Sequence, residues 1–258
     1  MSRVRNLPGD PGLERTPLRA AGGPRVGTPF RYPLRRLSRE AGLERVLRAL
    51  HRGFGPQEWW PARTPFEVIV GAVLTQNTAW TNVERALARL RRTEGGRGPT
   101  PAGLLRASDD ELEERIRPSG TFRAKAAKLR AVAAWYLEAG GLRALRERAL
   151  GPLRAELLGV HGVGPETADA ILCYAGGRRA PIVDAYTRRL LGRHALAPPG
   201  APYEELRAYL AERLVASQAV YEEFHALCVR AGYNHCKPTP RCETCPAPPP
   251  PPSPVIQD

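Results

Sequence analysis

Between residue 37 and residue 245 the apolar side chains recur every third or fourth position rather than every second one. That is the spacing of a helix with one buried face. It predicts helices over 43–54 (LERVLRALHRGF), 65–90 (PFEVIVGAVLTQNTAWTNVERALARL), 124–140, 165–177 and 203–215. DELEERI (110–116) predicts a shorter helix with Ser108 or Asp109 as its cap, and AYTRRLLGRHAL (185–196) one that starts after Asp184. No pair of alternating segments is joined by a hairpin turn, so the fold class is all-α.

The two ends break the pattern. Residues 1–36 are rich in Arg, Pro and Gly and carry eight arginines against Asp10 and Glu14. This reads as a basic tail, either without function or adding non-specific DNA affinity through counterion release. Residues 246–258 (PAPPPPPSPVIQD) read as a polyproline II-like tail. No run of about 18 apolar residues predicts a membrane span. The N-terminal arginines precede no apolar core, so no secretory signal is read. The expected location is the cytoplasm, at the nucleoid in a bacterium, with thiols reduced and no membrane partner.

Charge narrows the partner. The net charge of +13 and pI near 10.2 point to a polyanion, nucleic acid before an anionic membrane, with a merely solvated basic surface as the alternative. Nearly all of this charge is arginine, and lysine occurs only at Lys125, Lys128 and Lys237. Arginine cannot supply a neutral amine nucleophile.

LLGVHGVGPETADAIL (157–172) has the form of a hairpin between helices. Gly162 and Gly164 allow positive φ and close backbone approach. Val163 lies between them, and Pro165 suits the first position of a helix. Amides there would face outward as a sequence-blind phosphate site, and a tight helix–helix turn is the plainer reading. Asp184 follows apolar Ile182-Val183 and precedes a helix, where an acid is most often an N-cap.

Together these stretches resemble the helix-hairpin-helix, Gly/Pro-Asp (HhH-GPD) superfamily of DNA glycosylases, which includes endonuclease III and adenine glycosylase. Val160 to Ala168 match its hairpin, and Val183-Asp184 its aspartate about twenty residues on. The resemblance spans roughly 40–245 and makes Asp184 the essential carboxylate. Gly162, Val163, Gly164 and Thr167 would hold the DNA backbone. VLTQNTAW (73–80) resembles the segment whose glutamine enters the duplex, here Gln76. SGTFRAKA (119–126) resembles the second DNA-facing loop, with Thr121 or Phe122 as the wedge.

Bifunctional members carry a lysine where this chain has Glu166. A carboxylate forms no imine, so the resemblance implies a monofunctional enzyme. Asp184 would stabilise an oxocarbenium-like sugar and assist water, leaving an abasic site in an intact strand. Lys125 is the first place to look for a substitute lysine. Trp59-Trp60-Pro61 before LTQNT, with Tyr186 after the aspartate, resembles the 3-methyladenine DNA glycosylase III branch. Those aromatics would line the pocket of a flipped, cationic N-alkylated purine. Core packing is the other use of the tryptophans, and an oxidised pyrimidine is the competing substrate.

Cys228, Cys236, Cys242 and Cys245 fall within 18 residues, which in reduced thiols favours a metal or cluster over disulfides. The family often carries a [4Fe-4S] cluster here, but the first gap is one residue short and no cysteine follows Cys245. Cys228 would be the fourth ligand. Zinc, with His225 or His235 joining the cysteines, and no metal at all remain open. Cys173 reads as a core residue.

The resemblance implies two helical domains with a cleft between them. A six-helix barrel ending in the hairpin would cover 58–179, and 37–57 would join 180–245 in a domain holding the cysteine loop. The expected partner is double-stranded DNA containing a damaged base, bound by a monomer. A non-catalytic DNA-binding hairpin protein is the alternative of a different class.

Overall fold

The computed structural model describes residues 42–249 apart from Glu58, Pro199, Val215 and Ala216. The tail read over 1–36, residues 37–41 and residues 250–258 of the tail read over 246–258 lie outside the described residues. The described chain is helical, with no strand. In order the helices are α1 (Gly42–Phe54), α2 (Pro65–Leu74), α3 (Trp80–Thr93), α4 (Pro101–Arg106), α5 (Asp109–Ile116) and α6 (Phe122–Glu138). Then come α7 (Gly141–Glu147), α8 (Leu150–Gly159), α9 (Pro165–Ala170), α10 (Ala185–Arg193), α11 (Tyr203–Arg213) and α12 (Gln218–Asn234). None is long and apolar enough to cross a membrane.

The chain divides into two compact units. Among the described residues, one runs from Trp60 to Thr167, and the other joins 42–59 to 168–249. The division falls inside α9, whereas the resemblance placed it at 180. Ile171, Leu172 and Cys173, which follow it, are fully buried, and α12 packs against their turn.

In the first unit α2 is buried on every side and, Glu67 apart, apolar, as befits a central helix. Val68, Ile69, Val70, Val73 and Leu74 are all buried. Its start is fixed by Thr64, whose hydroxyl accepts from the Glu67 amide, and by Pro65 in the first turn. The helix expected over 65–90 is interrupted. The Thr75 hydroxyl donates to the Gly71 carbonyl at 2.7 Å, and Asn77 takes φ +54°. A hydroxyl bonding back on its own helix and a left-handed asparagine are local terminators that periodicity does not register. α6 packs on α2, α4 and α5 through Ala126, Leu129 and Val132. α5 opens with a capping box, Ser108 with Glu111, which selects Ser108 over Asp109 as the cap. Glu67, fully buried, is paired with Arg91.

The second unit centres on α12. Tyr221, Phe224, Leu227 and Cys228 are buried along it. α1 packs on it with Leu43, Val46, Leu47 and Leu50, and α10 with Leu190 and Leu191. α9 widens into a π turn over Ile171–Ala175 before the chain straightens toward Asp184. Such turns recur at functional sites. Asp169, fully buried, is held by the Tyr203 hydroxyl at 2.9 Å and by Arg207 at 3.1 Å.

Candidate active site

In the first unit the hairpin is a four-residue turn closed by the Val163 amide on the Val160 carbonyl at 3.0 Å. Gly162 takes φ +80°, the value a type II turn needs at its third residue. Gly164 does not use positive φ, contrary to the expectation. It is exposed, and a Cβ built on it meets nothing within 4 Å. Val163 and Thr167 are buried beneath the turn, and Glu166 is exposed in the first turn of α9.

Gln76 is held against this hairpin. Its Nε2 donates to the Gly162 carbonyl at 3.0 Å and to Thr167 Oγ1 at 3.1 Å. Lys128 Nζ donates to its Oε1 at 2.6 Å. The exposed residue of that turn is Asn77. In the 119–126 loop, Thr121 is exposed at φ +42°. Phe122 is half-buried, with the Arg117 guanidinium 4.7 Å from its ring centre and that of Arg123 at 6.0 Å.

Lys125 is 1 % exposed, and its Nζ donates to the Leu74 carbonyl at 2.8 Å and the Ser119 carbonyl at 2.6 Å. Burial, with Lys128 adding to it, pushes its pKa down to about 8. A lowered pKa favours a nucleophile, but this nitrogen is enclosed and committed to two carbonyls. It is not placed to replace the missing lysine.

In the second unit Asp184 is both buried and the N-cap of α10. Its Oδ1 accepts from the Thr187 amide at 2.7 Å, and Oδ2 lies 3.6 Å from His225 Nε2. The other ring nitrogen of His225 lies 2.8 Å from the Tyr174 hydroxyl, which also donates to the Glu222 carbonyl at 3.2 Å. Burial alone would raise the Asp184 carboxyl. The hydrogen bond and charge of His225 and the Thr187 contacts outweigh it and hold the group below the ordinary carboxylate range. The site keeps a desolvated carboxylate ionised. His225, weighed in the sequence only as a zinc ligand, is its partner. No local signal marks that pairing, because Asp184 and His225 are on different helices.

The aromatic residues are packed. Trp60 meets Trp80 edge-on, with ring centres 5.2 Å apart, and lies over Gly71, where a Cβ would come within 3.2 Å of the indole. Trp59 falls in the second unit and is half-buried. Tyr186 rests on Gly232 of α12, with the Arg189 guanidinium 5.8 Å from its ring centre.

Cys236, Cys242 and Cys245 line one small cavity with His194 and His235. Cys228 does not line it. It is fully buried in α12, and its thiol is pushed well up by burial and then by Asp184. A [4Fe-4S] cluster needs four ligands, normally thiolates. Among the described residues no three His, Cys, Asp or Glu side chains are grouped to hold a metal ion. The four thiols are not gathered as one ligand set in this arrangement. α12 holds the Cys228 thiol in its packed interior, where Cys236 is near enough to add to the rise of its pKa. The cysteine loop does anchor α10. Arg189 donates to the Cys236 carbonyl at 2.8 Å, and Arg193 to the Cys236 sulfur at 3.2 Å and the Pro238 carbonyl at 2.9 Å.

These features agree with the comparisons. Residues 70–215 match the HhH-GPD superfamily of base excision DNA repair proteins. A provisionally named DNA repair glycosylase of Methanocaldococcus jannaschii is 38% identical over 207 residues, 79% of this chain and 93% of its own. Endonuclease III of Thermotoga maritima is 28% identical over 182 residues, 70% of this chain and 79% of its own. The crystal structure of the 3-methyladenine DNA glycosylase MagIII of Helicobacter pylori, bound to 1,N6-ethenoadenine, superposes with a TM-score of 0.64 at 27% identity, covering 74% of this chain and 97% of that one. With a hairpin of this form and an aspartate held as a carboxylate at a helix start, the chain belongs to the HhH-GPD superfamily of base-excision DNA glycosylases.

Proposed function

We propose that this protein is a monofunctional DNA N-glycosylase that extrudes a damaged base from duplex DNA and hydrolyses its glycosidic bond. N-alkylated purines are the preferred class. The observation that carries the monofunctional reading is the placement of the lysines. Glu166 stands at the lyase position, the Lys125 ammonium is buried on two carbonyls, and that of Lys128 is bound to Gln76. Lys237 lies in the cysteine segment, 5.8 Å from the Tyr233 ring centre.

In this reading the C1′–N bond breaks with its electron pair leaving on the base. An N-alkylated purine is already cationic and needs no proton to depart. Asp184 stabilises the positive charge that develops at C1′, water adds there, and its proton passes to solvent or to the carboxylate. Thr187 and His225 hold that carboxylate ionised and oriented. Tyr186, two residues after Asp184, and Trp59, both half-buried in the second unit, supply aromatic surface suited to a cationic base, whereas Trp60 is used in packing. The similarity to a 3-methyladenine glycosylase bound to a modified adenine supports a purine. The similarity to Endonuclease III favours a second reading, a bifunctional enzyme acting on oxidised pyrimidines.

Excision from labelled duplexes, each with one N-alkylated purine or one oxidised pyrimidine, separates the two. Strand cleavage of the alkylated duplex only after alkali is the expected result. Cleavage of the oxidised duplex without alkali, with a borohydride-trapped adduct, would overturn the proposal.

A further inference from the structure

Two of the chain's three lysines lie three residues apart on α6, in a protein that, Lys237 apart, otherwise uses arginine where a lysine could stand. Lys125 Nζ joins the carbonyl of Leu74, the last residue of α2, to that of Ser119. The first begins the 75–79 turn, and the second immediately precedes Gly120 and Thr121. One buried ammonium thus closes the roots of both turns. An ammonium offers three tetrahedrally disposed donors to converging carbonyls, where a planar guanidinium would need a wider space. An ammonium at this depth is costly unless its donors are satisfied, and here two of the three are bound to carbonyls.

Lys128 makes the next connection. Its Nζ holds Gln76 Oε1 while the Gln76 amide holds Gly162 and Thr167. The Lys128 stem lies across Gly162, so closely that any Cβ there would overlap it. The 75–79 turn is thereby tied to the hairpin. All of these residues belong to the first unit.

We propose that Lys125 and Lys128 are positioning residues for lesion recognition, joining the 75–79 turn, the 119–121 turn and the 160–164 hairpin into one preset surface. The proposal rests on the glycosylase reading above. Loops that must enter a duplex lose affinity if they are ordered only on binding, and prior ordering removes that cost. Neither lysine touches the reacting atoms in this scheme.

The test uses the full chain with Lys128→Met, which replaces a half-buried residue, alongside Lys125→Met, Gln76→Ala and the Lys128→Met/Gln76→Ala pair. Affinity is measured for an undamaged duplex and for the same duplex carrying a tetrahydrofuran abasic analogue, over a salt series, with thermal melting as the folding control. For Lys128→Met the expected result is a melting temperature within a few degrees of wild type and an unchanged salt slope. Undamaged-duplex affinity should fall less than about threefold and analogue affinity at least tenfold. The pair should lose no more than Gln76→Ala alone. If both affinities fall together and the salt slope drops by about one, Lys128 is a phosphate contact and the proposal is overturned. A wild-type chain that prefers the analogue, with variants that keep the preference, overturns the proposal alone. A wild-type chain with no preference and no excision overturns the glycosylase reading and this proposal with it.

Discussion

Asp184 has two uses, and replacing it with asparagine or alanine separates them. As the N-cap of α10 it accepts from the Thr187 amide. Asparagine caps about as well as aspartate, whereas alanine costs about 1 kcal/mol. In a domain of this size that is about 2–4 °C of melting temperature. As the proposed catalytic carboxylate it faces a developing positive charge. Two unit charges about 4 Å apart at an effective dielectric constant near 20 attract by about 4 kcal/mol, a rate factor of about a thousand. Asp184→Asn should therefore melt near wild type and lose at least a hundredfold in single-turnover excision, because its amide dipole replaces only part of the charge. Asp184→Ala should lose both stability and activity. The readouts are alkali-revealed cleavage of a duplex carrying one N-alkylated purine, with enzyme in excess, and a melting curve of each variant. An Asp184→Asn protein that melts normally and excises within about threefold of wild type would refute the chemistry and leave Asp184 as a cap only.

The two hairpin glycines should respond differently. Gly162→Ala forces a side chain into φ +80° and into the Lys128 stem, and should destabilise by more than about 1 kcal/mol in denaturant titration. Gly164→Ala meets open space and should leave stability unchanged while weakening duplex affinity, since whatever requires glycine there lies outside the chain. Glu166→Lys should gain a borohydride-trapped adduct with an abasic duplex, and no adduct would mean that the residue does not face the sugar. Burial raises the Glu222 carboxyl to about 8 against Gln218, which lowers it. The folded chain then holds a proton that the unfolded chain releases. Its contribution to stability is full below about 4.5 and is lost as pH rises through about 8, by up to about 1.4 kcal/mol per unit. Denaturant titrations at pH 5, 7 and 9 should show a flatter profile for Glu222→Gln, and an unchanged slope would exclude the group as its source.

The helical class, a cap at Ser108 or Asp109, the Asp184 cap, the basic charge and the hairpin were all legible in the sequence. Each depends on residues within about one helical turn or on composition, and short-range sterics and hydrogen bonding determine them alone. The break of 65–90 was written there too, in Thr75 and Asn77, but periodicity does not read it. What the sequence left open depends on pairs far apart along the chain. Lys125 reaches Leu74 across 51 residues, Lys128 reaches Gln76 across 52, and Gln76 reaches Gly162 across 86. The meeting of Asp184 with His225, and the burial of Cys228 within the core around α12, follow from how α10 and α12 pack. A lysine, histidine or cysteine in an apolar helix has the same sequence signature whether it is spent on a carbonyl, a carboxylate or a metal. Packing decides which, because only the folded core sets the neighbours and the cost of leaving a polar group without one.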